Sequence, residues 1–481
     1  MSFQNLSYLA FAPLVAFVYL TLLPRRWQNH FLLAASLVFY WCNRPTGDGF
    51  AGLWQVLPIA LLVASCVFVW RVGLSLQAAP PEQRGRKLAT AVVVLLAVLA
   101  VFKYFNLALA VLPFAPGVLH RLPFPLGISF YTFQTMSYSI DVYRRDVKAE
   151  HNIIDFGAYV VMFPQLIAGP IVKYRDVAAQ LHVYKDRYRL KQIEEGICLF
   201  VFGLAKKVLI ADTVSKLWYD IIGTYNDQHI IAAGGAGVGL ENASTPLVWL
   251  GLLAYSLQLY FDFSGYSLMG IGMGKMLGFD FPMNFNMPYI ARSITDFWRR
   301  WHMTLSGWFR EYVYIPLGGN RRGLKRQIFN MFVVWTLTGI WHGADWNFIF
   351  WGIYYFILLA IEKIFLLKKL QTGRIWPHIY TLFLVAVGWA LFVGNEDGVG
   401  LALLMQKLFI PSGGVSCLYF LRNYGVLLVV AIICCTPVPL RIYDWLKKHT
   451  VLKILVVFAL LLMCIAYIVA STNSPFLYFR F

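Results

Sequence analysis

The stretch LATAVVVLLAVLAVFKYF, residues 88–105, has one charged side chain, Lys103, in 18 positions. An apolar run of this length is sufficient for a helix to cross the hydrocarbon core of a bilayer. The residues before it, 71–87, contain four basic side chains and one acidic side chain. An apolar run beside a basic loop is typical of a transmembrane helix that ends at the cytoplasmic face.

Similar apolar runs recur almost to the end of the chain. Of 481 residues, 59% are hydrophobic and 13% are charged, whereas soluble globular proteins have about 25% charged residues. The sequence therefore predicts an all-α polytopic membrane protein of about 11–12 transmembrane helices, folded as one membrane domain over residues 1–481. The predicted spans are residues 7–23, 29–42, 51–70, 88–105, 124–141, 192–214, 246–262, 329–343, 346–365, 375–394, 419–436 and 451–472.

The basic residues indicate orientation. The formal charge of +18 comes from Lys and Arg in short loops rather than from a separate basic domain. We therefore predict that these residues orient the chain in a lipid bilayer and that the protein does not bind nucleic acid. Alternating spans place the basic loops in the cytoplasm and both termini outside it. The first run has no basic residue before it and no cleavage site after it, so we expect a retained helix rather than a signal peptide.

Two apolar stretches do not fit this alternation. Residues 153–170 and the Gly-rich residues 265–277 begin and end on the same predicted side. We predict re-entrant or half-buried helices, which a membrane tolerates where protein or a water-filled cavity satisfies the irregular backbone. The alternative is a pair of interfacial helices that only cover the core.

Polar and aromatic residues are concentrated between residues 262 and 351. Within this segment, residues 293–308 alternate polar side chains, including His302, with Phe and Trp. This pattern predicts an amphipathic helix at the cytoplasmic interface, which could bind ligand or only lie on the membrane surface.

His342 lies near the end of a strongly apolar run, in TLTGIWHG at residues 336–343. An ionisable residue at membrane depth indicates a functional site. Burial disfavours the imidazolium, and a neutral imidazole can accept a proton from a hydroxyl. The alternative is a structural histidine bonded to a neighbouring helix. Gly339 and Gly343 would let a helix or a ligand approach closely under either interpretation.

Other catalytic patterns are absent from the sequence. It has no GxSxG elbow, and GIGMGK at residues 270–275 lacks the Walker spacing. The glycines of that segment are better explained by tight helix packing. The sequence has neither an HExxH motif nor a carboxylate cluster, so no metal site is predicted.

Three motifs together resemble the membrane-bound O-acyltransferase family, and within it the bacterial alginate O-acetyltransferase branch. They are RRWH at residues 299–302, WFREYVYIPLGGNRRG at 308–323 and WHG at 341–343. PLGISFYTFQTMSYSIDVYR, FPQLIAGPIVKY and the segment at 260–289 are also similar to that branch. The resemblance covers a motif-bearing core of about residues 125–362, with the motifs in the expected order.

The resemblance implies a ring of helices around a central tunnel and acyl transfer from cytoplasmic acetyl-CoA to a hydroxyl acceptor. Acetyl-CoA would be the donor substrate, with no tightly bound cofactor. His342 would activate the acceptor, and His302 would be a second essential residue on the cytoplasmic side. Arg299 and Arg300, with Trp298, are candidates for binding the donor, and both arginines also suit lipid phosphates.

The resemblance also implies a bacterial inner-membrane location and an extracytoplasmic SGNH-like partner that esterifies a polysaccharide or cell-wall glycan. Three alternatives remain open from the sequence. One is D-alanyl transfer, since that branch shares both His motifs, although the stretch at 315–323 looks more like the alginate-type branch. The others are a transporter or flippase with a buried His, which an inverted repeat would favour, and a structural subunit of an envelope-synthesis complex.

Overall fold

A computed structural model of the chain describes residues 6–43, 53–111, 125–166, 169–182, 190–222, 238–343, 345–393 and 400–470. Within these residues the regular structure is helical, with one isolated bridge between Ala243 and Val415. The all-α prediction is therefore confirmed. The chain divides into two compact units, Met1–Val201 with Tyr266–Met283, and Phe202–Gly265 with Asn284–Phe481.

The helices are numbered in chain order. They are α1 Leu6–Phe17, α2 Gln28–Cys42, α3 Leu53–Ala78, α4 Pro81–Val111, α5 Ile128–Arg144, α6 Ile153–Val161, α7 Phe163–Leu166, α8 Tyr174–His182, α9 Leu190–Ala205, α10 Asp212–Ile222, α11 Thr245–Met276, α12 Ile294–Arg300, α13 Met303–Phe309, α14 Gly323–His342, α15 Trp346–Ile361, α16 Leu367–Thr372, α17 Trp376–Val393, α18 Leu401–Phe409, α19 Leu418–Cys434, α20 Val438–Leu446 and α21 Thr450–Ala470. Short π-helical turns at Val18–Leu22, Lys206–Ala211, Arg310–Tyr314 and Glu362–Leu366 continue α1, α9, α13 and α15.

Among the described residues, six helical segments are long and apolar enough to cross a bilayer, and the bent pair α19 and α20 would make a seventh. They lie in α3, α4, α11, α15 with its continuation, α17 and α21. The prediction of a multi-pass membrane protein is confirmed. Other predicted spans fall on shorter helices, such as α2 with 15 residues and α5 with 17. Within the described residues, length and composition therefore support six or seven of the predicted 11–12 spans.

In the first unit, α5 packs against α3 and α4, and α6 packs against α2 and α3. An aromatic cluster of Tyr8, Phe39 and Phe163 joins α1, α2 and α7, with ring centroids 5.6–6.3 Å apart. The predicted re-entrant stretch 153–170 is interrupted, since α6 ends at Val161 and α7 begins at Phe163. Residues 167 and 168 of that stretch lie outside the described residues.

The prediction of a separate re-entrant helix at 265–277 is wrong. Predicted span 246–262 and this stretch form one continuous helix, α11, of 32 residues. Its glycines permit close packing instead of breaking the helix. A Cβ at Gly270 would lie 2.5 Å from the carbonyl oxygen of Pro164, and one at Gly272 would lie 2.6 Å from that of Gly196. The tight-packing interpretation of these glycines is therefore confirmed.

In the second unit, two glycines bring α14 and α15 together. A Cβ at Gly339 would lie 2.5 Å from the carbonyl oxygen of Phe348, and one at Gly352 would lie 2.5 Å from that of Trp335. α15 also packs against α17. These contacts place the C-terminal end of α14, and with it His342, against two apolar helices.

A buried ionic cluster lies elsewhere in the second unit. The ammonium of Lys207 lies 2.5 Å from Asp212 Oδ1 and 2.6 Å from Asp262 Oδ1. The side chains of Lys207 and Asp262 are each 2% exposed. Because isolated charges are costly at such burial, the lysine and the two carboxylates depend on one another for stability.

Candidate active site

The second unit contains a cavity of about 250 Å³. Residues from α11 to α15 and from α17 line it, together with the π-helical turn after α13. Both candidate histidines, His302 and His342, line this cavity. The structure therefore brings together two residues that are 40 positions apart in the sequence.

His342 is the last residue of α14 and is 7% exposed. Its imidazole lies among aromatic rings, with centroid distances of 4.8 Å to Trp341, 4.9 Å to Trp351 and 5.2 Å to Phe392. A side chain at Gly343 would collide with the ring of Phe348. Gly343 thus lets α15 approach the histidine closely, as the sequence suggested.

His302 occupies the junction between α12 and α13, outside the candidate spans, and is 2% exposed. Its backbone has φ +42° and ψ +55°, in the left-handed region that few residues other than Gly adopt. Such a residue interrupts a right-handed helix. The prediction of one amphipathic helix over 293–308 is therefore wrong, since α12 ends at Arg300 and α13 begins at Met303.

The surroundings of His302 disfavour its charged form. The rings of Phe263, Phe285 and Trp341 lie 4.7–6.5 Å from the imidazole centroid. Burial lowers the pKa of His302 to about 3, because it removes the hydration that stabilises the imidazolium. His302 is therefore neutral at physiological pH.

Asn284 holds the ring of His302 in place. Its side-chain oxygen lies 3.0 Å from His302 Nδ1, and it also accepts hydrogen bonds from the backbone N–H and the hydroxyl of Thr304. Asn284 is 1% exposed. The motif analysis did not single out this residue, although it lies within the segment 260–289 that resembles the family.

Two side chains, Ser293 and Glu362, hold the N-terminus of α12 in place. Ser293 caps the helix by accepting from the N–H of Asp296 at 2.9 Å. The buried carboxylate of Glu362 accepts from the N–H groups of Ile294 and Thr295 at 2.7 and 2.8 Å and from the Thr295 hydroxyl at 2.7 Å. A carboxylate at a helix N-terminus accepts hydrogen bonds from N–H groups that have no acceptor within the helix. Its negative charge also interacts favourably with the positive end of the helix dipole. Sequence analysis did not identify Glu362.

The three predicted donor-binding residues have different surroundings. Arg299 is exposed and lines the cavity. Trp298 also lines it and packs at 4.8 Å from both Trp335 and Tyr355. Arg300 instead forms an ion pair with Asp296, at 2.9 Å from Nε to Oδ1. A second exposed arginine at the cavity, Arg310, was not predicted.

In the described part of the chain, no group of three His, Cys, Asp or Glu side chains lies close enough to hold a metal ion. The side chains that line this cavity include two imidazoles and two guanidiniums. That combination suits proton transfer at one place and binding of an anion at another.

The model of the membrane-bound O-acyltransferase family matches residues 50–396 of this chain. The match spans more than half of the sequence and includes both cavity histidines. The chain belongs to the membrane-bound O-acyltransferase family. It is therefore an acyltransferase. This membership argues against the two alternatives from other classes, a transporter and a purely structural subunit.

Relatives within this family of acyltransferases cover most of the chain. A probable alginate O-acetylase from Pseudomonas putida is 36% identical over 99% of this chain and 99% of its own length. The peptidoglycan O-acetyltransferase of Helicobacter pylori is 31% identical over 100% of this chain and 96% of its own length. A teichoic acid D-alanyltransferase from Lacticaseibacillus rhamnosus is 30% identical over 58% of this chain and 70% of its own length.

Proposed function

We propose that this acyltransferase moves acetyl groups from cytoplasmic acetyl-CoA across the membrane for O-acetylation of an extracytoplasmic polysaccharide or cell-wall glycan. The observation that carries the proposal is that His302 and His342 line the same cavity. Support for acetyl as the transferred group comes from the two relatives that align over nearly the whole chain, an alginate O-acetylase and a peptidoglycan O-acetyltransferase.

In this proposal His342 acts as the general base. A neutral imidazole nitrogen takes the proton of the acceptor hydroxyl while the oxygen forms a bond to the acetyl carbonyl carbon. The carbon–sulfur bond of the thioester then breaks, and coenzyme A leaves as a thiolate that takes up a proton. The aromatic rings around His342 would limit the access of water to the imidazole, which favours transfer to the bound acceptor over hydrolysis.

Arg299 and Arg310 are proposed to bind the phosphates of the donor. Both guanidiniums are exposed at the cavity, and Arg is well suited to phosphate because its planar fork can donate two parallel hydrogen bonds. Arg300 is assigned a structural part instead, because its Nε is engaged by Asp296. Trp298 would form part of the wall against which the acyl arm lies.

The proposal includes the cellular setting inferred from the sequence. The protein would lie in the bacterial inner membrane with its basic loops in the cytoplasm and both termini outside. An SGNH-like protein on the outer side would receive the acetyl group and esterify the glycan. D-alanyl transfer is the second candidate, supported by a relative that aligns with 58% of this chain.

The test is transfer of radiolabel from acetyl-CoA by the protein reconstituted in vesicles, with acetate and labelled acceptor both measured. Wild type and His342→Gln are compared, and a D-alanyl thioester is offered in parallel. We expect turnover of acetyl-CoA by wild type and its loss in the variant. Turnover with the D-alanyl donor alone would refute acetyl transfer. Full activity of a correctly folded His342→Gln protein would refute the assignment of the base.

A further inference from the structure

Asn284 lies between α11 and α12, and one atom of its side chain receives three contacts. Oδ1 is 3.3 Å from the backbone nitrogen of Thr304, 2.8 Å from the Thr304 hydroxyl and 3.0 Å from His302 Nδ1. The main chain contributes as well, since the N–H of Met303 donates to the Asn284 carbonyl oxygen at 2.9 Å. Asn284 therefore fixes both the turn at His302 and the orientation of its ring.

These contacts determine which nitrogen of His302 carries the proton. The backbone N–H of Thr304 can only donate, so the atom of Asn284 that faces it is the oxygen and not the amide nitrogen. That same oxygen faces His302 Nδ1, which must then carry a hydrogen. A neutral imidazole has one N–H, so the lone pair lies on Nε2.

We propose that Asn284 is a positioning residue that holds His302 as its Nδ1–H tautomer, so that Nε2 serves as a hydrogen-bond acceptor in the cavity. The tautomer follows from the hydrogen bonds of this chain, whereas its use in acetyl transfer rests on the proposed function. In this assignment the Nε2 lone pair of neutral His302 accepts a hydrogen bond from an O–H or N–H group that enters the cavity, and Nε2 itself carries no hydrogen to donate.

The chemistry of an amide explains why Asn rather than Asp suits this position. Asn284 uses its oxygen alone, since Nδ2 is buried and has no hydrogen-bond partner within the described residues. Asp would offer the same oxygen geometry but would add a negative charge against the imidazole, which stabilises the imidazolium. The neutral amide orients the ring and leaves it uncharged.

The aromatic rings beside His302 also favour the neutral imidazole. α11 presents the ring of Phe263 to it, and α14 presents Trp341. The titratable or charged residues that line the cavity with it are Arg299, Arg310, Tyr314 and His342. None of these is a carboxylate, so none provides the negative charge that would stabilise a cationic His302.

The tautomer can be read directly by nitrogen NMR of the full-length protein labelled with 15N-histidine in detergent micelles. The signal of His302 is assigned by its absence in His302→Asn. We expect the shift pattern of a neutral Nδ1–H imidazole in wild type and loss of that pattern in Asn284→Leu, which has a similar shape but no acceptor. An Nε2–H pattern in wild type would overturn the inference, whatever the activity of the protein.

A pH profile of acetyl transfer tests the consequence for catalysis. In Asn284→Asp the carboxylate keeps the hydrogen bonds and raises the pKa of His302, so His302 becomes protonated at higher pH. We expect this variant to retain acetyl transfer at its optimum pH. The acidic limb of its pH profile should move to higher pH by about 1 unit or more. Asn284→Leu should lower kcat by about 100-fold or more while KM for acetyl-CoA changes little.

The matched control is Asn286→Ala, which removes an exposed amide two positions away on the same segment. It should leave the pH profile and kcat unchanged. Thermal melting of each variant identifies any that fail to fold. If Asn284→Leu does not fold, Asn284→Asp provides the test. An unchanged acidic limb in folded Asn284→Asp would overturn the catalytic part. Absence of turnover in wild type would count against the proposed function and leave the NMR result to decide the tautomer.

Discussion

His302 and His342 line the same cavity, and the indole of Trp341 contacts both rings at centroid distances of 6.5 and 4.8 Å. The two imidazoles have different structural settings. One is held at a left-handed turn by an asparagine, and the other ends a helix among aromatic rings. This difference allows the two histidines to have separate parts in one reaction.

His342→Gln should reduce acetyl transfer by about 10²–10⁴-fold, the usual contribution of a positioned general base. Glutamine keeps much of the volume of the side chain but cannot take the proton. The measurement is the initial rate of label transfer at saturating acetyl-CoA. His449→Gln, at an exposed position after α20, is the control and should transfer at the wild-type rate. Equal losses in the two variants would contradict a specific part for His342.

Arg310→Ala should raise KM for acetyl-CoA by about 10–100-fold with a smaller change in kcat. A hydrogen bond to a charged group contributes about 1.5–3 kcal/mol, and the variant loses that contact with phosphate. Acetyl-pantetheine, which lacks the nucleotide phosphates, should show similar KM values for wild type and variant. Arg441→Ala removes an exposed arginine elsewhere and serves as the control. A KM increase that persists with acetyl-pantetheine would argue against phosphate binding.

Glu362→Gln should destabilise the protein by about 1–2 kcal/mol, because the amide cannot replace the charge at the N-terminus of α12. The measurement is thermal unfolding in detergent. Glu82→Gln removes a carboxylate from the exposed first turn of α4 and should shift the melting temperature much less. Similar shifts in melting temperature in the two variants would show that the buried contacts of Glu362 contribute little to stability.

Lys207→Met should cost about 3–5 kcal/mol of stability, because it leaves the buried carboxylate of Asp262 without its counter-charge. Asp262→Asn combined with Lys207→Met should recover part of that loss. Thermal unfolding of the single and double variants measures the coupling. Strictly additive effects would show that the two side chains do not depend on each other.

Gly339→Ala should also destabilise the protein, since the new methyl group would meet the carbonyl oxygen of Phe348 and separate α14 from α15. Gly425→Ala in α19 is the control. A Cβ there has nothing within 4 Å, and alanine is favoured over glycine in a helix by about 0.5–1 kcal/mol. Melting temperatures should therefore move in opposite directions, and a drop in both would contradict the packing explanation.

Hydropathy and the motifs predicted the helical class and the multi-pass membrane character, and the two histidines that they singled out line the same cavity. They failed where local pattern and backbone geometry disagree. Residues 293–308 have the apolar spacing of one helix, but the positive φ of His302 divides them. Residues 265–277 were predicted to form a separate re-entrant helix, whereas they continue α11 as far as Met276.

The residues that sequence analysis missed act through contacts distant in the chain. Asn284 lies 18 positions before the histidine it holds, and Glu362 lies 68 positions after the helix start that it caps. No local spacing reveals such pairs. Glu362 did carry a signal, because a carboxylate within an apolar run indicates a specific buried partner. Arg310 could be recognised only when the cavity was seen.

The cavity wall is rich in indole. Among the described residues, Trp298, Trp301, Trp335, Trp351 and Trp389 line it. Indole emission responds to the polarity of its surroundings, so a molecule that enters this space and displaces water changes the fluorescence of several tryptophans together. The protein thereby carries its own optical reporter of occupancy, which can follow donor entry in a variant that no longer turns over.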